Sequence, residues 1–393
     1  MWCSLLLLLA SGPQDSGPTV ELESLAGAIE TRPLADFHVS DPREQDAHFV
    51  RFRGLEPPRP PVGLDDHAAL VTLHSGDRVR GWVRSGAGER LVVELVGRLS
   101  IELSADEVRS VVFTSRLRGG SAPRPDPSGH GDWLYRRNGD AVPGLINGFS
   151  DEGVDFEGKR DSRTYPWRDV LAIFIEDLGE PGEAQDDARA PVFVDLAGGS
   201  RLRGRLVEID SRGCSLAVRP GEPLLLPAAG VLEVAVRDGS FAYLSDIAPA
   251  DRGPESPFGD DLGMVYAPRV DRAVVSAGPL RVAGRTWARG LGVHAPSRLT
   301  WALDGEWSQL RTWAGIDDEA LEIARTGSVR FLVEVDGEER FASMVRHGGE
   351  PALELPPVDL SGARELVLEV DAASDHWVAD RADWLRPILV RAP

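Results

Sequence analysis

The sequence predicts an all-β chain in which three small barrels precede a β-sandwich. Three observations carry that expectation. A G-[DS]-x-[VL]-x-G-x-[VIL] frame occurs three times between residues 69 and 237, the C-terminal third is a series of short strand-like runs, and turn formers abound, with 42 Gly and 29 Pro in 393 residues. With 42% hydrophobic and 27% charged residues, the chain has enough apolar surface for several packed domains and is no disordered polymer. Its formal charge of -20 repels phosphate backbones and acidic headgroups, which argues against a nucleic-acid partner.

Residues 1–18 read as a signal peptide, because Leu5 to Ala10 form an apolar run too short to span a bilayer and close to the length of a signal core. Cys3 precedes that run, so it does not occupy the position of a lipid-modified cysteine. The protein is therefore expected to be exported, periplasmic or extracellular, with no membrane span. Once the leader is removed Cys214 is the only thiol, which permits neither an internal disulfide nor a Cys-based zinc site and leaves a small buried hydrophobe as its expected role. Residues 19–66 stay unassigned: Val20 to Leu22 resemble the start of a degenerate copy, but Pro57 to Pro61 interrupt any regular element.

The three copies are placed at 67–118, 130–178 and 190–238. Gly76-Asp77-Arg78-Val79-Arg80-Gly81, Gly139-Asp140-Ala141-Val142-Pro143-Gly144 and Gly199-Ser200-Arg201-Leu202-Arg203-Gly204 align, and Val108, Val170 and Val231 follow the first glycine by 32, 31 and 32 residues. In the first copy Leu91-Val93-Leu95 and Leu99-Ile101-Leu103 alternate with polar residues, the period of a half-buried strand. Asn138-Gly139 is a strong hairpin signal, and the second glycine of each frame falls inside a strand, where it permits a sharp bend or close backbone approach. Four or five strands in each such stretch resemble an SH3-like or Sm-like barrel. Acidic Asp151, Glu152, Asp155 and Glu157, and the lack of a basic stripe with interleaved aromatics, argue against RNA. The linkers Gly119 to Gly131 and Gly179 to Ala190 read as exposed tethers.

Residues 241–393 contain six of the ten tryptophans and strand-like runs with hairpin signals at Asp304-Gly305 and Asp336-Gly337, the texture of a β-sandwich. This segment resembles the NPCBM module, a carbohydrate-binding domain related to family 51 carbohydrate-binding modules. The resemblance is carried by Tyr243-Leu244-Ser245-Asp246, the run from Gly284 through Trp287 and His294 to Ser297, Gly315-Ile316-Asp317-Asp318-Glu319, Gly327-Ser328-Val329-Arg330-Phe331, and Asp380-Arg381-Ala382-Asp383-Trp384. The family pattern has a histidine where this chain has Arg381. The resemblance implies a galactose-binding-like jelly roll and a structural calcium, for which no ligand set is assigned; no other cofactor is required.

A saccharide seat needs an aromatic face beside hydrogen-bonding side chains. The residues expected to form it are His294, Asp317, Asp318, His376, Trp377, Arg381, Asp383 and Trp384. Several have a plainer reading, and His294 beside Ala295 and Pro296 reads equally as a cap on a strand end. Tryptophans at strand spacing, such as Trp301 and Trp313, belong more often to a core, Asp317-Asp318-Glu319 reads equally as a solvated turn or a calcium site, and Arg381 either stacks on sugar or pairs with Asp383. G-x-S-x-G, H-E-x-x-H and Walker sequences are absent, and no paired carboxylates stand out as a glycosidase acid and base. The expectation is an exported, non-catalytic carbohydrate-binding protein whose partner is a polysaccharide or glycan. The alternatives are an envelope scaffold that binds proteins and has lost sugar binding, and an accessory subunit or divergent member of a glycoside hydrolase system.

Overall fold

The computed structural model describes residues 17–56, 58–59, 65–97, 99–117, 123, 131–159, 161–176, 189–218, 223–253, 266–322, 327–373 and 379–392. Residues 1–16 of the expected leader, most of both tethers, and His376 and Trp377 lie outside them. Every regular element among the described residues is a strand or a short 3-10 turn, so the chain is all-β. Among the described residues no helix is long and apolar enough to cross a membrane.

The repeated sequence frame corresponds to a repeated strand pattern. The first unit has strands Ala68–Leu73, Arg78–Ala87, Arg90–Glu94, Ser100–Ser104 and Val108–Val112. The second runs from Asp132–Arg136 to Val170–Phe174, and the third from Pro191–Leu196 to Val231–Val236. In each, the opening strand pairs with both the second and the last. The second strand of each unit also carries a bulge at the same place, between Val83 and Ser85, Ile146 and Gly148, and Leu206 and Glu208. A bulge bends its strand, so one extra residue at a fixed position lets the sheet curl back on its opening strand.

The two conserved-spacing glycines do different work. Gly76, Gly139 and Gly199 have φ of 86°, 95° and 87° in the first turn, where a side chain is strained. Gly81, Gly144 and Gly204 have ordinary backbone but no room: a Cβ there would lie 2.3, 2.1 and 2.7 Å from the carbonyl oxygens of Glu94, Glu157 and Ala217. Val108, Val170 and Val231 each leave a 3-10 turn and enter the last strand, buried, with the N–H closing that turn. Cys214 is buried in this region, where desolvation pushes its thiol up to about 12.

Residues 19–53, which the sequence left open, form strands Thr19–Glu23, Ile29–Pro33, His38–Val39 and Phe49–Arg53. They add to the third unit, with Val50 opposite Val234 and Val39 opposite Ile209.

The C-terminal segment is a two-sheet sandwich. One sheet centres on Arg381–Arg391, flanked by Gly290–His294 and Trp307–Ile316; the other centres on Glu365–Ala372, flanked by Ser297–Ala302 and Ser328–Val335. Asp336 and Gly337 both have positive φ at the expected hairpin, which joins Ser328–Val335 to Glu338–Ala342. Nine consecutive residues of Arg381–Arg391 are buried, which alternation on one covered face cannot give. Ala382, Trp384 and Leu389 face the sandwich core, whereas Ile388 and Val390 pack outward on Phe49, Ala235 and Tyr243. The outer face of that sheet is thus covered by the N-terminal strands and the third unit.

Buried charge completes this junction. Arg386 donates to Glu23 at 3.0 Å and Glu233 at 2.7 Å, Arg51 bonds both carboxylates, and Arg311 bonds Glu23. Tyr243 Oη donates to Glu233 at 2.5 Å. A second group joins Arg289 and Arg201 to Asp195 and Asp246. Burial pushes the Glu23 carboxyl up, but Arg386, Arg51 and Arg311 outweigh it and hold the group down to about 2.

Candidate functional site

At one end of the sandwich, strand Trp307–Ile316 runs into the acidic triplet that the sequence left as a turn or a metal site. Each carboxylate holds down backbone of the 275–284 segment. Asp317 accepts from Arg281 N at 3.0 Å and from Glu319 N at 2.8 Å, and Asp318 accepts from Ala283 and Gly284 N, both at 2.8 Å. Glu319 accepts from Val275 N at 3.0 Å and Ser276 N at 2.7 Å. The triplet is a clamp for a preceding loop, and its oxygens are spent on amide N–H groups instead of facing a ligand.

Asp383 is fully buried, and neither of its oxygens meets a donor. Burial, then the charge of Asp317, raises its pKa well above the ordinary carboxylate range, and burial raises that of Asp317 as well. Two such carboxyls are stable side by side only with a proton between them. Asp380 is also buried; one oxygen accepts from Ser328 N at 2.8 Å, and desolvation pushes the group up to about 6.

The implied calcium was tested against these groups. Among the described residues no three His, Cys, Asp or Glu side chains are placed to hold a cation, and the triplet already serves amide donors. The described residues do not fit the ion.

Several expected site residues therefore have other roles. Trp384 has 0% exposure and packs edge-on against Phe331 with ring centroids 5.1 Å apart, so its indole cannot stack on a sugar. Asp383 and Asp317, at 0% and 2% exposure, cannot reach one either. Trp301 is core, its indole N–H bonded to Ile247 O at 2.9 Å. Arg381 neither pairs with Asp383 nor is buried; it donates to the Glu319 carbonyl at 3.0 Å. Asp318 is half-buried with both oxygens engaged.

What does gather at the rim is a different set. His294 lies opposite Arg381 in the sheet, and Tyr266 stacks over its ring at 4.1 Å with planes 16° apart. His294 is 4% exposed, and its Nδ1 lies 2.7 Å from Ala295 O. Burial, partly offset by the Ala295 carbonyl and reinforced by Arg381, holds its pKa low, so the ring is a neutral support. Tyr266 is half-buried. Sequence reasoning missed Tyr266 because it stands alone among Gly and Pro residues. Its signal was an aromatic residue immediately before Ala267-Pro268. Chemically the rim offers one π face and one guanidinium fork, and the nearest buried carboxylates are closed to solvent.

An NPCBM/NEW2 domain spans residues 242–390, and that family groups carbohydrate-binding modules. Among solved structures, the CBM51 module of a Clostridium perfringens GH95 protein, determined with methyl-galactose, is 20% identical over 38% of this chain and 99% of its own, with a TM-score of 0.33. The CBM51-2 and INT domains of ZmpB from the same organism are 29% identical over 38% of this chain and 31% of theirs, also with a TM-score of 0.33. The ZmpB M60 catalytic domain with both CBM51 modules is 17% identical, covering 97% of this chain and 42% of that one, with a TM-score of 0.34. No curated protein matches the chain.

Proposed function

We propose that this chain is an exported, non-catalytic glycan-binding protein in which three SH3-like barrels carry an NPCBM sandwich. The observation that supports it is the NPCBM/NEW2 domain at residues 242–390. The saccharide seat is assigned to the rim, where Tyr266 is stacked on His294 and Arg381 lies opposite His294, so that an aromatic ring for a pyranose and donors for its hydroxyls come together. Export rests on the apolar run Leu5 to Ala10. Affinity for one sugar unit is modest, since a wet ligand with few apolar atoms offsets little of its ordering cost.

A glycan array probed with the full chain tests this reading. Retention on one glycan class, reduced at least about tenfold by Tyr266→Ala through loss of a stacking contact of ~1–2 kcal/mol, supports it. Absence of any retention by the folded chain overturns it. The scaffold reading is favoured by the burial of Trp384 and Asp383, since interior groups serve stability. It predicts an empty array.

A further inference from the structure

A surplus of positive charge sits where the first unit, the third unit and the sandwich meet. Arg78 lies opposite Arg201 across the two units, and Ser200 Oγ accepts from Arg80 N at 2.9 Å and donates to Arg80 O at 3.0 Å. This fixes Arg80 beside Gly199. A Cβ on Gly199 would lie 2.5 Å from an Arg272 guanidinium nitrogen and 3.2 Å from Arg80 Cδ, so the turn glycine of the third frame also makes room for two arginines.

The acids that line this cleft are already committed. Asp195 bonds Arg201 and Arg289, and Asp271 bonds Arg201 and Gly290 N. Among the described residues the guanidiniums of Arg78 and Arg80 meet no hydrogen-bond or ion-pair partner, and that of Arg272 meets only the Ala277 carbonyl. The cavity holds about 60 Å³, room for a single small oxyanion, and shares Arg78 and Arg201 with an open cleft of 420 Å³ whose lining includes Phe193 and Phe241. Arg80 and Arg272 are half-buried, so their mutual repulsion is weakly screened. Burial, then Arg272 and Arg78, pushes the Arg80 pKa down to about 10, as expected of a cation lacking its counterion. A chain of net charge -20 that concentrates unpaired guanidiniums in one recess has a place for an anion there.

We propose that this recess binds the oxyanion substituent of an acidic glycan, a sulfate ester or a uronate carboxylate, with Arg78, Arg80 and Arg272 as its ligands and the adjoining cleft seating the sugar ring. The proposal rests on the glycan-binding reading and adds to it a second contact, apart from the rim, that specifies an acidic glycan.

The test titrates the full chain with inorganic sulfate, dextran sulfate and neutral dextran at low and high salt, with melting curves confirming that every variant is folded. The expected result is salt-sensitive binding of dextran sulfate in clear preference to dextran, lost at least about tenfold in R80Q/R272Q and about threefold in R78Q, since each charge-assisted bond accounts for ~1–2 kcal/mol. R78Q changes an exposed side chain and keeps the test open if the double variant fails to fold. No binding of either anion, unchanged binding in the folded variants, or sulfate binding without preference for the sulfated polymer would each overturn the proposal. Array retention lost through Tyr266 is a separate readout, so failure of the rim and failure of the recess are distinguishable.

Discussion

At the scale of the residue, buried charge in this protein follows two opposite patterns. Glu23 is surrounded by guanidiniums that hold its pKa down, whereas burial and the neighbouring carboxyl of Asp317 push that of Asp383 up. Their pH signs differ accordingly. Glu23, depressed from 4.5 to about 2, contributes stability above pH 4.5 that is lost as the pH falls toward 2, on the order of 3 kcal/mol by linkage. Asp383, raised above its unfolded value, contributes stability that is fully present in acid and lost as the pH rises through its folded pKa. Asp383→Asn keeps a donor toward Asp317 without needing a proton. Urea unfolding at pH 5 and pH 8 is expected to show the variant gaining about 1–3 kcal/mol on the parent at the higher pH and little at the lower.

At the scale of the element, the repeat frame separates two demands on glycine. Gly139 has φ of 95° and open space around it, so Gly139→Ala costs about 1 kcal/mol of backbone strain. Gly144 would place a Cβ 2.1 Å from the Glu157 carbonyl, so Gly144→Ala forces the second and third strands apart and costs at least about 2 kcal/mol. Denaturant midpoints of the two variants check the order. This is also why the units were legible in sequence: a positive φ and a close backbone approach each exclude every side chain, and such requirements leave a spacing that survives divergence at other positions. The hairpin at Asp336-Gly337 was legible for the same reason. The rim was not, because burial of an indole is decided by what packs on it. Trp384 and Trp313 differ in exposure although both lie on strands of one sheet, and neither sequence neighbourhood shows that Phe331 covers the first.

At the scale of the whole molecule, the sandwich does not hang from a tether in the described structure. The strand Arg381–Arg391 buries its outer face on Phe49 and Tyr243, and Arg386 adopts φ of 48°, a strained value for an arginine, where its guanidinium reaches Glu23 and Glu233. Glu23 and Arg386 are 363 residues apart, and no periodicity relates them, so this junction could not be read from the sequence. Removing one member strands the others: Glu23→Ala leaves Arg51, Arg311 and Arg386 short of a counterion and is expected to cost about 3–5 kcal/mol. Calorimetry is expected to resolve the single parental transition into two, with the N-terminal strands loosening before the sandwich.

The central claim is that the sandwich rim, and none of its interred tryptophans, meets the sugar. A crystal of the full chain soaked with the best glycan from the array tests it most directly. The account predicts a pyranose lying on Tyr266 with a hydroxyl within hydrogen-bond distance of Arg381. A rim left empty in a crystal where it faces open solvent would contradict it.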